Sequence, residues 1–123
     1  MTRTLRIAVA DDEPDVRDYF QVMLPRLGHR VVAAAANGRE LVDLCREQKP
    51  DLIIADVRMP EMDGDDAIHV ICQDNPTPFI LISAYSKPAG VLDTFGSIRR
   101  TYLTKPVKRD HLEDAIEQVC PMD

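Results

Sequence analysis

The sequence contains no tryptophan and only three cysteines in 123 residues. Cys45, Cys72 and Cys120 lie far apart, and no Cys-x-x-Cys pair or cysteine–histidine cluster accompanies them. A metal site or redox pair built on sulfur is therefore disfavoured. We interpret the three residues as reduced thiols that pack in the core.

Long apolar runs and an excess of positive charge are also missing. No run approaches the ~20 apolar residues that a membrane-spanning helix needs. The N-terminal apolar stretch is too short for a signal peptide and soon meets acidic residues. The net charge is −6, so the surface repels nucleic-acid phosphates. We expect a cytoplasmic protein that binds neither membranes nor, directly, nucleic acid.

Short apolar runs are what the sequence has instead. With 45% apolar and 29% charged residues it has the composition of an ordinary globular protein, and a single domain over 1–123 is expected. The runs are nearly continuous, which is typical of strands covered on both faces. They are Leu5–Ala10, Val31–Ala35, Leu52–Ala55, Phe79–Ile82 and Thr101–Leu103.

Segments with helical spacing fill the intervals between these runs. Regular alternation of strand and helix predicts an α/β fold, a doubly wound parallel sheet of five strands with helices on both faces. Pro25 predicts an early end or a kink in the first helix. The segment Ser86–Arg100 contains a proline and two glycines, which predict a short or irregular fourth helix.

Polar side chains stand where the predicted strands end. Asp11 and Asp12 follow the first strand, and Asp56 ends the third. Ser83 ends the fourth strand, and Lys105 follows the fifth. The carboxyl ends of parallel strands meet at one edge of the sheet, which is where such folds bind ligands. We therefore expect these five residues to converge.

Three carboxylates at one edge need a positive counter-charge. Two like charges ~4 Å apart repel each other by ~4 kcal/mol at an effective dielectric of 20, so a proton or a cation must bind. A hard divalent cation with oxygen ligands fits, and Mg²⁺ fits best because it leaves room for a phosphate. With a lysine and a hydroxyl beside it, the cluster predicts phosphoryl transfer to an aspartate nucleophile.

The chain resembles the receiver domain of two-component response regulators, the proteins of phosphorelay signal transduction. The resemblance runs from Arg6 to about Val119 and rests on ADDE (10–13), DVRMPEMDG (56–64), SA (83–84) and YLTKP (102–106). It implies a flavodoxin-like (βα)5 fold with strand order 2-1-3-4-5. SIRRTYLTKP departs from the small residues that the family usually carries before the aromatic of strand five. This segment and LPRLGHRVV (24–32) are similar to receivers attached to an RNA-binding antitermination module.

The resemblance also implies the ligands of the cation. Asp56 would accept the phosphoryl group and contact Mg²⁺ or another divalent cation. Asp11 and Asp12 would be the acidic pair, with Asp12 the more direct ligand. The backbone carbonyl of Arg58 would complete the set.

Further roles follow from the same resemblance. Ser83 would be the switch hydroxyl, and Tyr102 the switch aromatic that follows it. Lys105 would contact the phosphate, held by a cis peptide bond to Pro106. The side chains of Arg58 and Tyr85 are expected to border the approach of water to the phosphate. Both are large, and neither presents an amide or carboxylate to orient an attacking water, so slow dephosphorylation is predicted.

The implied partners are a histidine kinase or phosphotransfer protein, and an unidentified output domain or effector. The partner surface would be the face built from helix four, strand five and helix five, through which a homodimer can also form. Such a domain is not an enzyme with an external substrate, because it catalyses only its own phosphorylation and dephosphorylation.

Three alternatives to a phospho-accepting receiver domain remain. Asp11 and Asp12, taken alone, are explained equally well as a cap of the first helix. An aspartate-nucleophile phosphatase of the haloacid dehalogenase type would carry a second acid two residues after the nucleophile, where this chain has Arg58. A receiver-like interaction module that takes no phosphate would not need the acids, serine and lysine together.

Overall fold

The computed structural model describes residues 3–85, 90 and 92–121. Five strands form one sheet in the order β2-β1-β3-β4-β5, and every neighbouring pair is parallel. The strands are β1 (Arg6–Ala10), β2 (Arg30–Ala35), β3 (Leu52–Asp56), β4 (Phe79–Ser83) and β5 (Arg100–Thr104). The predicted doubly wound α/β class and its strand order are confirmed.

Four α-helices connect or follow the strands within the described residues. They are α1 (Pro14–Arg26), α2 (Gly38–Gln48), α3 (Gly64–Asp74) and α4 (Arg109–Val119). Helix α4 is the fifth helix of the predicted pattern. The β4–β5 connection contains a 3-10 helix at Asp93–Phe95, where the sequence predicted a short or irregular helix. Residues 86–89 and 91 of that prediction lie outside the described residues. None of the described helices is long and apolar enough to cross a membrane.

Prolines and a glycine set the ends of α1. Pro14 is the first helical residue, a position where the missing N–H costs nothing. Pro25 lies in the last turn, and the helix continues to Arg26, so it does not end early at the proline. Proline has no N–H to donate, but the missing hydrogen bond falls in the last turn, where its loss does not interrupt the helix. Gly28 then turns the chain toward β2 with a φ of 90°, which favours glycine.

The core lies on both faces of the sheet. Every residue of the central strands β3 and β4 is buried, whereas the edge strands β2 and β5 are partly exposed. On one face α1 and α4 pack against the sheet through large apolar side chains that include Phe20, Leu24 and Leu112. On the other face α2, α3 and Phe95 form a second apolar layer.

The cysteines belong to these two layers. Cys45 and Cys120 are buried, Cys72 is partly buried, and all three are free thiols. Burial, reinforced by the neighbouring Cys72, raises the pKa of Cys45 to about 12. A thiol with so high a pKa is almost wholly protonated near neutral pH and is a poor nucleophile.

Gly64 brings the start of α3 against the end of β3. Its N–H donates to the carbonyl oxygen of Val57 at 2.8 Å. A Cβ atom at this position would lie 2.0 Å from the carbonyl oxygen of Asp56. Only glycine fits here, and its close approach fixes the helix against the strand that carries Asp56.

Candidate functional site

Three carboxylates meet at the carboxyl edge of the sheet. Asp11 lies directly after β1, Asp12 follows it, and Asp56 is the last residue of β3. Each offers one oxygen, and the three oxygens lie within 4.8 Å of one another. Asp11 is 0% exposed and Asp56 7%, whereas Asp12 is open to solvent. The predicted convergence of these acids is therefore present in the structure.

A tight turn holds the loop between β1 and α1. The N–H of Asp11 donates to the carbonyl oxygen of Ala35 at 3.0 Å. The Asp11 Oδ1 atom accepts from the N–H of Glu13 at 2.9 Å. Glu13 is the N-cap of α1, and its side chain makes no capping bond. Asp11 thus shapes the loop before the helix, and a side-chain cap does not explain the acidic pair.

Lys105 brings a positive charge into the acidic cluster. Its Nζ atom donates to Asp56 Oδ2 at 2.8 Å and lies 2.9 Å from Asp11 Oδ2. A third and longer contact, 3.4 Å, reaches the exposed carboxylate of Glu13. The Lys105–Pro106 peptide bond is cis, as the resemblance implied. The backbone N–H of Lys105 donates to the carbonyl oxygen of Ser83, which ties the end of β5 to β4.

Burial and the contacts between opposite charges have opposing effects on the pKa values of Asp11 and Lys105. Burial raises the pKa of Asp11, and the neighbouring charge of Asp56 raises it further, whereas Lys105 and the N–H of Glu13 lower it. Burial alone would lower the pKa of Lys105, but its contacts with Asp11 and Asp56 outweigh burial and raise it. The lysine is therefore a fixed positive charge at neutral pH.

The acidic cluster fits a hard divalent cation. The Asp11 Oδ2 atom is buried and has no hydrogen-bond partner in the described part of the chain, and its counter-charge is the Lys105 ammonium 2.9 Å away. Asp11, Asp12 and Asp56 bring three carboxylates to this edge, and like charges so close together favour the binding of a further cation. Carboxylate oxygens are the ligands that Mg²⁺ prefers. The three acids can hold such an ion together.

Local hydrogen bonds shape the ends of β3 and β4, and one further bond joins β5 to the segment after β4. The N–H of Arg58 donates to Asp56 Oδ1 at 3.1 Å, while its side chain is exposed. The N–H of Tyr85 donates to Ser83 Oγ at 3.1 Å, and the Tyr102 hydroxyl donates to the carbonyl oxygen of Tyr85 at 3.4 Å. Tyr102 thus contacts Ser83 through the backbone of Tyr85.

The sequence matches the family model of the response regulator receiver domain over residues 7–117. The chain belongs to this family. Its relatives include the chemotaxis protein CheY of Thermotoga maritima, which is 31% identical over 115 residues covering 93% of this chain and 96% of that protein. Another is the transcriptional regulatory protein PdtaR of Mycobacterium tuberculosis, 36% identical over 112 residues. That alignment covers 91% of this chain but only 55% of PdtaR.

Solved structures agree with this assignment. The signal receiver domain of the response regulator NarL from Mycobacterium tuberculosis aligns with a TM-score of 0.79 and 30% identity, over 94% of each chain. A complex of CheX, CheY, BeF3 and Mg²⁺ from Borrelia burgdorferi aligns with a TM-score of 0.84, over 93% of this chain and 87% of that one. Its identity is 23%, so this second likeness shows the fold alone.

This receiver domain therefore belongs to the two-component response regulators, and it has an acidic cluster that can hold a metal ion. Tyr102 is half-buried against the apolar layer of α2 and α3, whereas Tyr85 is 71% exposed at the rim of the site. The resemblance predicted a switch pair of Ser83 and Tyr102. The structure places the two residues on adjacent strands with Tyr85 between their polar atoms.

Two residues of the receiver domain were missed in the sequence. Glu13 contacts Lys105, and Arg17 donates from Nη1 to the carbonyl oxygen of Asp11 at 2.8 Å. One signal was available. Long side chains on a helix point back toward its N-terminus, so an arginine in the first turns of α1 can reach the loop before it.

Proposed function

We propose that this receiver domain is a phospho-accepting signalling switch in which Asp56 takes a phosphoryl group from a histidine kinase or a phosphotransfer protein. The observation that supports it most is the position of Lys105, whose ammonium lies 2.8 Å from Asp56 Oδ2. One carboxylate thus has a fixed cation at its side and two further acids, Asp11 and Asp12, within metal-binding distance. Phosphoryl transfer depends on such positioning and charge neutralisation.

The transfer step uses the Asp56 carboxylate as nucleophile. An oxygen of Asp56 attacks the phosphorus of the donor phosphohistidine, the P–N bond breaks, and the imidazole leaves with the bond's electron pair. Lys105 changes partner from the carboxylate to a phosphoryl oxygen, with which it makes a charge-assisted bond. Mg²⁺, held by Asp11, Asp12, Asp56 and the carbonyl oxygen of Arg58, would neutralise charge on the transferring group. In the later hydrolysis, water attacks phosphorus and the Asp56 oxygen leaves.

The output of the switch would follow from Ser83 and Tyr102. In the proposal, the Ser83 hydroxyl binds a phosphoryl oxygen and gives up its present bond from the N–H of Tyr85. The carbonyl oxygen of Tyr85 accepts from Tyr102, so movement of this segment changes the surroundings of the tyrosine ring. The face built from the β4–β5 connection, β5 and α4 would then change its affinity for an output domain, an effector or a second copy.

The deciding experiment is incubation with Mg²⁺ and a small phosphodonor, followed by intact mass measurement. We expect one phosphoryl adduct on the parent protein and none on Asp56→Asn. Rapid release of phosphate without a persisting adduct would instead support the phosphatase alternative. An unchanged mass in the parent would support the interaction module and overturn the switch.

A second experiment tests the coupling through Lys105. Lys105→Arg keeps the charge but changes its shape and reach. We expect the variant to accept phosphate yet lose phosphorylation-dependent dimerisation or partner binding, measured by sedimentation with and without the phosphodonor. A variant that responds like the parent would reduce Lys105 to a general positive charge. Such a switch would act in the cytoplasm, the location expected from the sequence.

A further inference from the structure

We propose that Arg17 is a positioning residue of the acidic site, whose guanidinium holds the β1–α1 loop so that Asp11 and Asp12 face Asp56. As far as cation binding is concerned, the inference rests on the proposed function. It adds a residue outside the ligand set and the phosphoryl-contacting set. It also predicts an effect that can be measured without phosphorylation.

The geometry puts Arg17 in contact with the main chain of the loop. Arg17 is half-buried in the first turns of α1, and its Nη1 atom lies 2.8 Å from the carbonyl oxygen of Asp11. The N–H of the same Asp11 donates to Ala35 at 3.0 Å. Asp11 is therefore held through its N–H by β2 and through its carbonyl oxygen by α1.

Few other hydrogen bonds hold the main chain of the β1–α1 loop. The N-cap Glu13 makes no side-chain capping bond, and Pro14 has no N–H to offer. Asp12 is exposed, and its side chain has no hydrogen bond within the described residues. The carbonyl oxygen of Glu13 accepts from the N–H groups of Val16 and Arg17 as the helix begins. The side-chain contacts of the loop, to Glu13 N–H and to Lys105, use carboxylate oxygens. Arg17 binds a main-chain oxygen instead, so it fixes the loop and leaves the carboxylates available to a cation.

Charge and positioning predict opposite effects of removing Arg17. A guanidinium near the cluster repels Mg²⁺, so a purely electrostatic role predicts tighter binding when it is removed. A positioning role predicts weaker binding, because the two acids lose their fixed orientation toward Asp56. Residues that orient metal ligands typically contribute ~10–100-fold to affinity. The direction of the change therefore separates the two explanations.

The test compares Arg17→Met with Arg26→Met by calorimetric titration with Mg²⁺. Arg26 lies in the last turn of the same helix, is exposed, and its side chain makes no hydrogen bond or ion pair among the described residues. Both substitutions remove one positive charge from α1. We expect Kd to rise about tenfold in Arg17→Met, to change little in Arg26→Met, and to recover in part in Arg17→Lys, which can still donate.

A second readout uses metal-free protein. The N–H of Glu13 donates to Asp11 Oδ1, so its hydrogen exchange reports the order of the loop. We expect faster exchange of this amide in Arg17→Met, while amides of the buried strand β3 keep their parent rates. Equal loss of protection in β3 would mean general destabilisation and would overturn the positioning role.

The outcomes separate the inference from the proposed function. If the parent binds no Mg²⁺, both fail. If the parent binds Mg²⁺ and Arg17→Met binds it equally or more tightly, the inference alone fails. Parent-like exchange of the Glu13 amide in Arg17→Met would also overturn it, whatever the Mg²⁺ titration shows.

Discussion

On one face of the sheet the regular helices α1 and α4 share one apolar layer with buried residues of the strands. On the other face α2 and α3 do the same, but the next connection contributes the three-residue 3-10 helix Asp93–Phe95. The helices satisfy their own backbone groups through internal hydrogen bonds. The 3-10 segment leaves carbonyl groups that other parts of the molecule must satisfy.

Arg100 supplies hydrogen-bond donors to the carbonyl groups of this irregular segment. Its Nε atom donates to the carbonyl oxygen of Leu92 at 2.6 Å, and its Nη1 atom to those of Gly96 and Ile98 at 2.8 and 2.7 Å. A planar guanidinium suits such a cluster of acceptors better than an ammonium does. One arginine at the start of β5 thus replaces several of the hydrogen bonds that a longer helix would make for itself.

Phe95 attaches the same segment to the core. Its ring stacks on His69 of α3 with centroids 3.9 Å apart and meets Phe79 of β4 edge-on at 4.5 Å. Thr94 adds a hydrogen bond to His69 Nε2 at 2.8 Å. The regular face depends on continuous apolar burial, whereas the irregular segment depends on one ring and one guanidinium. Substitutions on the two faces should therefore have different consequences.

The largest effect is expected on the regular face. Leu112→Ala in α4 removes a fully buried side chain and should lower the free energy of unfolding by about 3 kcal/mol. Urea denaturation measures the loss. Glu117→Ala, an exposed change in the same helix, should stay within ~0.5 kcal/mol of the parent. Equal effects of the two would contradict the packing described for this face.

A smaller and more local effect is expected from Arg100→Met. The variant leaves three carbonyl groups to water and should lose about 1–2 kcal/mol. Hydrogen exchange should accelerate for amides of residues 92–98 and remain unchanged in α4. Arg99→Met is the control, because Arg99 is an exposed neighbour whose side chain has no hydrogen bond among the described residues. Uniform acceleration across the molecule would show that the segment does not open separately.

The lifetime of the proposed phosphoryl group on Asp56 tests two exposed side chains at the carboxyl edge. Arg58 lies in the loop from β3 to α3, and Tyr85 lies two residues after the end of β4, in the irregular connection. Arg58→Ala and Tyr85→Ala should each speed dephosphorylation by less than about tenfold, or ~1.4 kcal/mol. If both close one opening, the double variant should be non-additive. Decay curves of all three that match the parent would exclude steric gating.

The smallest effect concerns pH on the regular face. Burial lowers the pKa of His29, whose Nδ1 atom accepts from the N–H of Leu5 at 3.1 Å. The unfolded chain therefore takes up a proton more readily, and stability should fall as pH drops through the unfolded pKa of about 6.5. Urea denaturation at pH 7 and 5.5 should show a larger loss of stability at the lower pH in the parent than in His29→Gln. His111→Gln, at an exposed position, should leave it unchanged.

The sheet could be predicted because it follows from periodic features of the sequence. Apolar runs such as Leu52–Ala55 identify the buried strands, and the acids that end them identify the edge where the site forms. The position of Lys105 follows in the same way from the fifth strand, whereas the cis peptide bond to Pro106 was predicted from a resemblance that the family model now supports. These features are local in sequence, so they can be found without knowing the tertiary contacts.

The rest depends on contacts that residue type does not reveal. Arg99 and Arg100 are identical neighbours in the sequence, yet Arg100 binds three carbonyl groups and Arg99 is exposed. Nothing in the sequence distinguishes His69 from the other histidines, yet it stacks on Phe95. Arg17 was missed because its partner is a backbone oxygen. In each case the partner becomes a neighbour only after the chain folds.

Gly64 and Gly38 mark two points near Asp56 where backbone segments pack in direct contact. Gly64 lies so close to the carbonyl of Asp56 that not even a methyl group fits between strand and helix. A Cβ atom at Gly38 would lie 2.1 Å from the carbonyl oxygen of Met62, in the loop that leads into α3. Displacement of the Asp56 backbone toward α3 therefore cannot be absorbed by compressing a side chain. We expect such a displacement to move the start of α3 and, through Met62, the start of α2.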